Sequence, residues 1–402
     1  MLNNYFSQLR TAIPLLMAEY NIPGLLLSIT DKENTLFSDC FGFTDSQKTN
    51  PVTQTTQFSL QSISKTYTAF AFMLAVQDRK VFLDDPLVKY MPEFHVRHRS
   101  GNDFSTLITF RQLLSHRSGL AHEAPIGNNF TYSSFEDHIK SINETYLRFK
   151  PDEKYSYSNL GIDLVAFVLG RIYGMSYENY VKEKLFTPLD MRNSKYDQHV
   201  IPMLGAGGMY SCSNDMMHFI RCFLNKGIYN NINILDYELL SMMYDKTKKD
   251  EWEYKIGIDV GLLHGKLVVN HNGGGYGFLA TQDIFPDDGL GMAALSNSVD
   301  HPNVHQRICR SISHDFFELR SCGMEDCELL PEKLEIFIGL YEVVYNGGTW
   351  KISVVPRNGR LYCNEQELIQ LSDGLFYTAN DDYIEISNDV LKYNNILLRK
   401  YT

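Results

Sequence analysis

Apolar residues recur at helical spacing over 4–20 (Phe6, Leu9, Ile13, Leu16, Met17), and Pro23-Gly24 ends that segment. The runs LLLSIT (25–30) and TLFSDCFGFTD (35–45) then read as paired strands across the polar turn Asp31-Lys32-Glu33-Asn34. After Ser62 the pattern turns helical to about Arg79, with Tyr67, Phe70, Met73 and Leu74 on one face. Helical segments follow at 109–115, 134–149, 159–173 and 176–186, punctuated by Gly119, Pro151, Gly174 and Pro188. Another is predicted at 213–226, after the glycine-rich GAGGMYSCSND. Strand-like runs return at 254–270, 277–286 and 290–296, and a helix is predicted over 301–320. Strands, a helical middle, strands and a closing helix imply one sheet assembled from both ends of the segment. The predicted class is therefore α/β (α+β): an antiparallel sheet flanked by helices, with an all-helical insertion at about 66–205.

From 321–331 (SCGMEDCELLP) the pattern changes, and this stretch reads as a linker between a domain at 1–320 and a small one at 332–402. The tail alternates short β-type runs such as WKISVVP and RLYCNE with turn signals at Asn346-Gly347-Gly348, Asn358-Gly359 and Ser372-Asp373-Gly374. Such a tail reads as a small antiparallel barrel or sandwich. A chain of 402 residues suits this division, since single cores stop growing below that size.

Charge and cysteine usage remove several function classes. The net charge of −11 argues against nucleic acid, whose binding rests on Lys and Arg neutralising phosphates. The short run Lys246-Thr247-Lys248-Lys249 is flanked by Asp245, Asp250 and Glu251 and reads as a solvated loop. No run reaches 18 apolar residues, so no membrane span is expected. The N-terminus lacks a basic stretch followed by a long apolar core, which gives an expectation of a cytoplasmic protein. Seven scattered cysteines without Cys-x-x-Cys fit reduced thiols. The twelve histidines are dispersed and His-Glu-x-x-His is absent, so neither metal nor cofactor is expected.

Three short stretches carry chemistry. Ser62-x-x-Lys65 is the only Ser-x-x-Lys in the chain. It reads either as a helix-capping serine with a solvated lysine, or as a nucleophile one turn from its base. A serine becomes a good nucleophile only when a base takes its proton, and lysine does so only with a lowered pKa. Tyr157-x-Asn159 precedes an apolar helix. Asn159 could be a helix N-cap, and Tyr157 a phenol sharing a proton with the lysine. His271-Asn272-Gly273, inside HNGGGYGF, is the only His-x-Gly. It reads as a turn with a surface histidine, or as a strand edge where glycines admit a substrate backbone.

Together with NIPGLLLSI, LDDPLVKYMPEF, ITFRQLLSHRSGL, LFTPLDM and IFPDDGLGMAALSN, these stretches form an ordered series. The chain resembles the serine β-lactamase and penicillin-binding-protein superfamily over roughly 5–320, in the branch with class C β-lactamases, D-aminopeptidases and esterases. The resemblance implies a covalent acyl-enzyme at Ser62, with Lys65 as base or proton relay and Tyr157 taking and returning the proton. It implies that Asn159 bonds the substrate amide, that His271 and Gly273 line the substrate site, and that the N–H groups of Ser62 and Gly274 form an oxyanion hole. His116 has no catalytic role in this reading. In β-lactamases and carboxypeptidases of this superfamily the third motif usually begins with lysine. Here it is His271, which is mostly neutral at pH 7, so recognition of a free carboxylate is weakened. The tail resembles the lipocalin-like barrel of some of these hydrolases; a barrel that size can hold one small apolar ligand.

The expectation is a serine hydrolase or acyltransferase acting on amide or ester bonds of peptides, D-residues included. Its partners would be a small-molecule or peptide substrate, without nucleic acid or membrane, and with oligomerisation left open. Three alternatives stand beside it. One is a cyclase releasing a nonribosomal peptide from a carrier protein. Another is a carboxylesterase. The third is a non-catalytic penicillin-recognising sensor or scaffold.

Overall fold

The computed structural model describes residues 2–127, 133–197, 201–245, 252–298, 304–321, 330–345, 348–380, 382–387, 389–393 and 396–401. The Lys246–Lys249 run, most of the 321–331 linker and the Asn346-Gly347 turn signal lie outside the described residues. The main elements are the following, in chain order. Helix α1 (Leu2–Glu19) precedes strands β1 (Gly24–Thr30) and β2 (Thr35–Gly42). Helices α2 (Ser64–Gln77), α3 (Phe135–Ile142), α4 (Asn159–Tyr173), α5 (Leu204–Gly207) and α6 (Ser213–Leu224) make up most of the middle. Strands β3 (Glu253–Tyr254), β4 (Asp259–Leu263), β5 (Lys266–Gly275), β6 (Phe278–Phe285) and β7 (Leu290–Ser296) follow, then helix α7 (Val304–Ser321). The tail holds β8 (Gly339–Tyr345), β9 (Gly348–Arg357), β10 (Arg360–Cys363), β11 (Gln366–Glu367), β12 (Ile369–Ser372), β13 (Leu375–Tyr377), β14 (Tyr383–Ser387), β15 (Val390–Tyr393) and β16 (Ile396–Lys400).

The chain forms two compact units, one of residues 26–38 and 53–299 and one of residues 1–25, 39–52 and 300–402. In the first, the sheet order is β3-β4-β5-β6-β7-β1-β2. N-terminal strands thus lie beside the last strand of the segment, as the strand–helix–strand pattern predicts. Strands β1, β6 and β7 are almost continuously buried, which explains their unbroken apolar runs. The predicted strand at 254–270 is three strands, because the turns at Lys255–Ile258 and His264-Gly265 reverse the chain twice. The predicted helix at 134–149 ends at Ile142, where the C-cap Asn143 closes it, and a short strand at Tyr146–Leu147 takes up the rest.

Helix α2 is buried on every side from Ser64 to Ala75. A helix apolar all round belongs in a core, so its few polar groups must find partners there. They do: the Thr68 hydroxyl donates to the Gly205 carbonyl at 2.7 Å, and Thr66 donates to the Gly257 carbonyl at 3.0 Å. This central helix is the platform on which the Ser62–Lys65 stretch stands.

In the second unit α1 and α7 meet through Tyr5 and Phe316, whose rings lie 5.7 Å apart, and the Tyr5 hydroxyl donates to Asp315 at 3.0 Å. The tail is one nine-stranded antiparallel sheet in the order β11-β10-β9-β8-β16-β15-β14-β13-β12, a near-closed barrel. Its interior is packed with Phe337, Tyr341, Ile352, Val354, Leu361, Phe376, Ile384, Leu391 and Leu398. A barrel filled this way is a core rather than a ligand cavity. Cys40, Cys212, Cys222 and Cys363 are free thiols.

Strand β5 runs against the turn that precedes α2. A Cβ on Gly273 would sit 2.0 Å from the Leu60 carbonyl oxygen. Gly273→Ala must therefore push the two segments apart. The expected loss is about 1–3 kcal/mol, read as a lower urea midpoint together with slower acylation. A variant with unchanged midpoint and rate would show that this close approach is not needed.

Candidate active site

Ser62 lies in a short 3-10 turn, Gln61–Ile63, between the strand Phe58–Ser59 and α2. The preceding Gln61 has φ 50, a left-handed conformation uncommon for a residue with a side chain. Its amide donates to the Ser59 hydroxyl at 2.7 Å, which holds this turn in place. Ser62 is half-buried and reachable. Ser64 is not: its hydroxyl donates to the Gln61 carbonyl at 2.6 Å and accepts the Met209 N–H at 3.1 Å, fully buried.

Lys65 has 0% exposure. Its Nζ is 3.0 Å from Ser62 Oγ and donates to the Ala206 carbonyl at 2.8 Å. Burial pulls its pKa down to about 7, against the opposing pull of Asp163 and Glu123. The solvated-lysine reading is thereby excluded. Near neutral pH a substantial share of this amine is unprotonated and faces a hydroxyl at hydrogen-bond distance.

Tyr157 covers the other side of the lysine, whose Nζ is 4.9 Å from the ring centroid. Burial raises its phenol pKa, and the Ser62 side chain acts in the opposite direction as a hydrogen-bond partner. The phenol is thus held as a neutral donor next to the serine. His116 packs against it with ring centroids 4.3 Å apart and planes tilted by 42°, and equally against Tyr254. The His116 Nδ1 accepts the Ser158 N–H at 3.2 Å. Burial keeps this imidazole neutral. It packs the tyrosines, in keeping with a structural role.

Asn159 is the first residue of α4, and Ser158 occupies the N-cap position, so the N-cap reading of Asn159 is corrected. Its Nδ2 donates to Glu123 Oε1 at 2.6 Å. That fixes the amide orientation and leaves Asn159 Oδ1 buried without a donor among the described residues; Glu123 Oε2 is in the same condition. Buried acceptors of this kind are places for a donor to bind.

His271 is 3% exposed on an inner strand, so it is neither a surface histidine nor at a sheet edge. Its Nδ1–H donates to the Asn272 carbonyl at 2.8 Å, and the Tyr254 hydroxyl donates to Nε2 at 3.1 Å. This assigns the neutral tautomer. Burial and Lys65 depress the pKa to about 3. Of the glycines that follow, Gly273 admits the Leu60 carbonyl, while a Cβ on Gly274 would meet the Leu279 side chain, at 3.1 Å. Gly274 pairs with Leu279 of β6.

All seven sequence-predicted residues lie in the first unit. Ser62, Lys65 and Tyr157 form one contact cluster. His271 joins it through Tyr254, whose ring centroid is 6.0 Å from that of Tyr157. Asn159 extends it to Glu123, which senses the Lys65 charge. Gly273 joins it by its approach to Leu60, two residues before Ser62. Sequence reasoning missed Tyr254, Glu123, Asp163 and Ala206, and nothing in the local pattern around any of them marks it.

A half-buried serine, a buried lysine of lowered pKa and a buried tyrosine therefore lie together in one site. Residues 9–308 match the Beta-lactamase family, and the chain belongs to that family. It is similar to Beta-lactamase-like protein 2 of Dictyostelium discoideum, 30% identical over 260 residues. That match takes in 56% of this chain and 46% of the relative, so the chain spans about half the length of the curated relative it matches. Its fold is similar to the octameric penicillin-binding protein homologue from Pyrococcus abyssi, at 21% identity and a TM-score of 0.65 over 96% of this chain and 98% of that one. It is also similar to D-amino acid amidase from Ochrobactrum anthropi SV3 complexed with D-phenylalanine, at 20% identity and a TM-score of 0.62 over 74% and 92% of the two chains.

A lysine this deeply buried should titrate alone among the lysines. In protein labelled with 13C at lysine Cε, one resonance should move with a midpoint near 7 and be missing from Lys65→Met. Titration of every lysine above pH 9 would contradict the site's electrostatics.

Proposed function

We propose that this chain cleaves amide or ester bonds of small peptides and aminoacyl compounds through a covalent acyl-enzyme on Ser62. The observation that carries the reading is the 3.0 Å contact between Ser62 Oγ and the fully buried Lys65 Nζ. The neutral amine takes the Ser62 proton as Oγ bonds to the carbonyl carbon. The N–H groups of Ser62 and Gly274 receive the developing oxyanion. Tyr157, a neutral phenol beside both groups, passes a proton to the departing amine or alkoxide. Water then attacks the acyl group by the reverse route, and Ser62 regains its proton.

Two observations support an amine-bearing substrate. Asn159 Oδ1 and Glu123 Oε2 are buried acceptors without donors among the described residues. An amide N–H satisfies the first, and an ammonium satisfies the carboxylate, whose pKa burial has raised. The similarity in fold to a D-amino acid amidase is consistent with such a substrate. His271 is held neutral, so no fixed cation at that position meets a β-lactam's carboxylate.

The test is intact-mass analysis with a fluorophosphonate, followed by turnover of D- and L-aminoacyl amides, short esters and a chromogenic cephalosporin. One adduct is expected on the wild type and none on Ser62→Ala. Aminoacyl substrates should exceed their des-amino analogues by roughly tenfold or more, and Glu123→Gln should erase that preference. The cephalosporin should be the poorest substrate. No adduct on the wild type, or one that persists in Ser62→Ala, would sink the proposal.

A further inference from the structure

Behind Lys65 lies a buried pair that this mechanism does not use. His138 on α3 and Asp163 on α4 are both fully buried. The His138 Nδ1 faces the Ile126 carbonyl, and Nε2 lies 3.0 Å from Asp163 Oδ2. Both ring nitrogens face acceptors, an arrangement that favours the doubly protonated ring. The carboxylate supports this by raising the His138 pKa against the opposing effect of burial, which is the larger single influence.

The other oxygen of the pair, Asp163 Oδ1, accepts the Ala206 N–H at 2.9 Å. Residue 206 in turn presents the carbonyl that takes a hydrogen of Lys65 at 2.8 Å. From the opposite side, α2 holds the same segment through Thr68 on the Gly205 carbonyl and Ser64 on the Met209 N–H. The fit is tight: a Cβ on Gly205 would lie 2.5 Å from that of Ala166. The carbonyl that orients the lysine is therefore clamped between α2 and α4, and Asp163 is the α4 side of the clamp.

We infer that Asp163 and His138 are positioning residues for Lys65: they fix residue 206, whose carbonyl aims the amine at Ser62, and they set the charge that the amine faces. This rests on the reading of Lys65 as the base. The titratable groups around Lys65 are Asp163 from α4, Glu123, His116 and His122 from the segment before α3, Tyr157, and His271 from β5. The two carboxylates favour the ammonium, and any charge on an imidazole opposes it. His138 faces Asp163 and Glu123.

The signs of the two substitutions are opposite. Asp163→Asn removes a charge that favours the ammonium, so the acid limb of Ser62 acylation should move down by about one pH unit. His138→Gln leaves the carboxylate uncompensated, so the limb should move up. The probe is the rate of adduct formation with a nitrophenyl ester from pH 5 to 9. A normal adduct with an unchanged midpoint in both variants, even at lower rate, overturns the inference and reduces the pair to scaffolding. A wild type that forms no adduct instead removes the acyl-enzyme reading on which the inference rests. A further readout needs no altered activity. In the 15N imidazole spectrum the His138 ring, assigned by its absence from His138→Gln, should titrate above the usual histidine range. A His138 ring that titrates within or below that range overturns the pair.

Discussion

Burying an amine is the constraint on which the site depends. Lys65 has no exposed surface, and a charged ammonium in such a place loses its hydration. Among the described residues its hydrogen-bond partners are one carbonyl and one hydroxyl, from Ala206 and Ser62. That is too little to hold a full charge, so the pKa falls to about 7 and the amine can be neutral where a solvated lysine cannot. The same burial raises the Tyr157 pKa and depresses that of His271. One physical cause therefore yields an amine able to accept a proton, a phenol that keeps its own, and an imidazole without charge.

The fold supplies that environment by making α2 the centre of its unit. The helix is surrounded, so Lys65 in its first turn is fully buried, while Ser62 in the 3-10 turn before it stays half-exposed. Strand β5 closes on this turn because glycine stands where a side chain would strike Leu60. The left-handed Gln61 makes the change of direction from strand to helix. The arrangement places rigid elements rather than loops under the reacting serine, which keeps its geometry within narrow limits.

Much of this is legible in the chain because it is periodic or local. The α2 and α4 helices, the strand runs at 278–285 and 290–296, and the turn-rich tail all carry their own signals. The spacing of Ser62 and Lys65 is enough by itself to place both on one helix face, and Ser64 on another. What the chain does not reveal is long-range. Tyr254 reaches His271 across the intervening strand β4, and Ala206 reaches Lys65 from 141 residues away. Glu123 meets Asn159 from a loop that has no pattern. The same limit accounts for the misreadings. A glycine cluster suggests a turn or a sheet edge at His271; the turn falls at Tyr276-Gly277, while His271 itself lies on an inner strand where Gly273 admits the Leu60 backbone. Asn159 looks like a cap because caps and first-turn residues share a composition.

The central claim is that the neutral Lys65 amine, and no other group, activates Ser62. It is tested most directly by the pre-steady-state rate of Ser62 acylation across pH in the wild type and in Lys65→Met. The account predicts a wild-type rate that rises through pH about 7 and a variant slower by roughly 100- to 10,000-fold with no such rise. A Lys65→Met rate that still climbs through the same pH would place the base elsewhere and contradict the account.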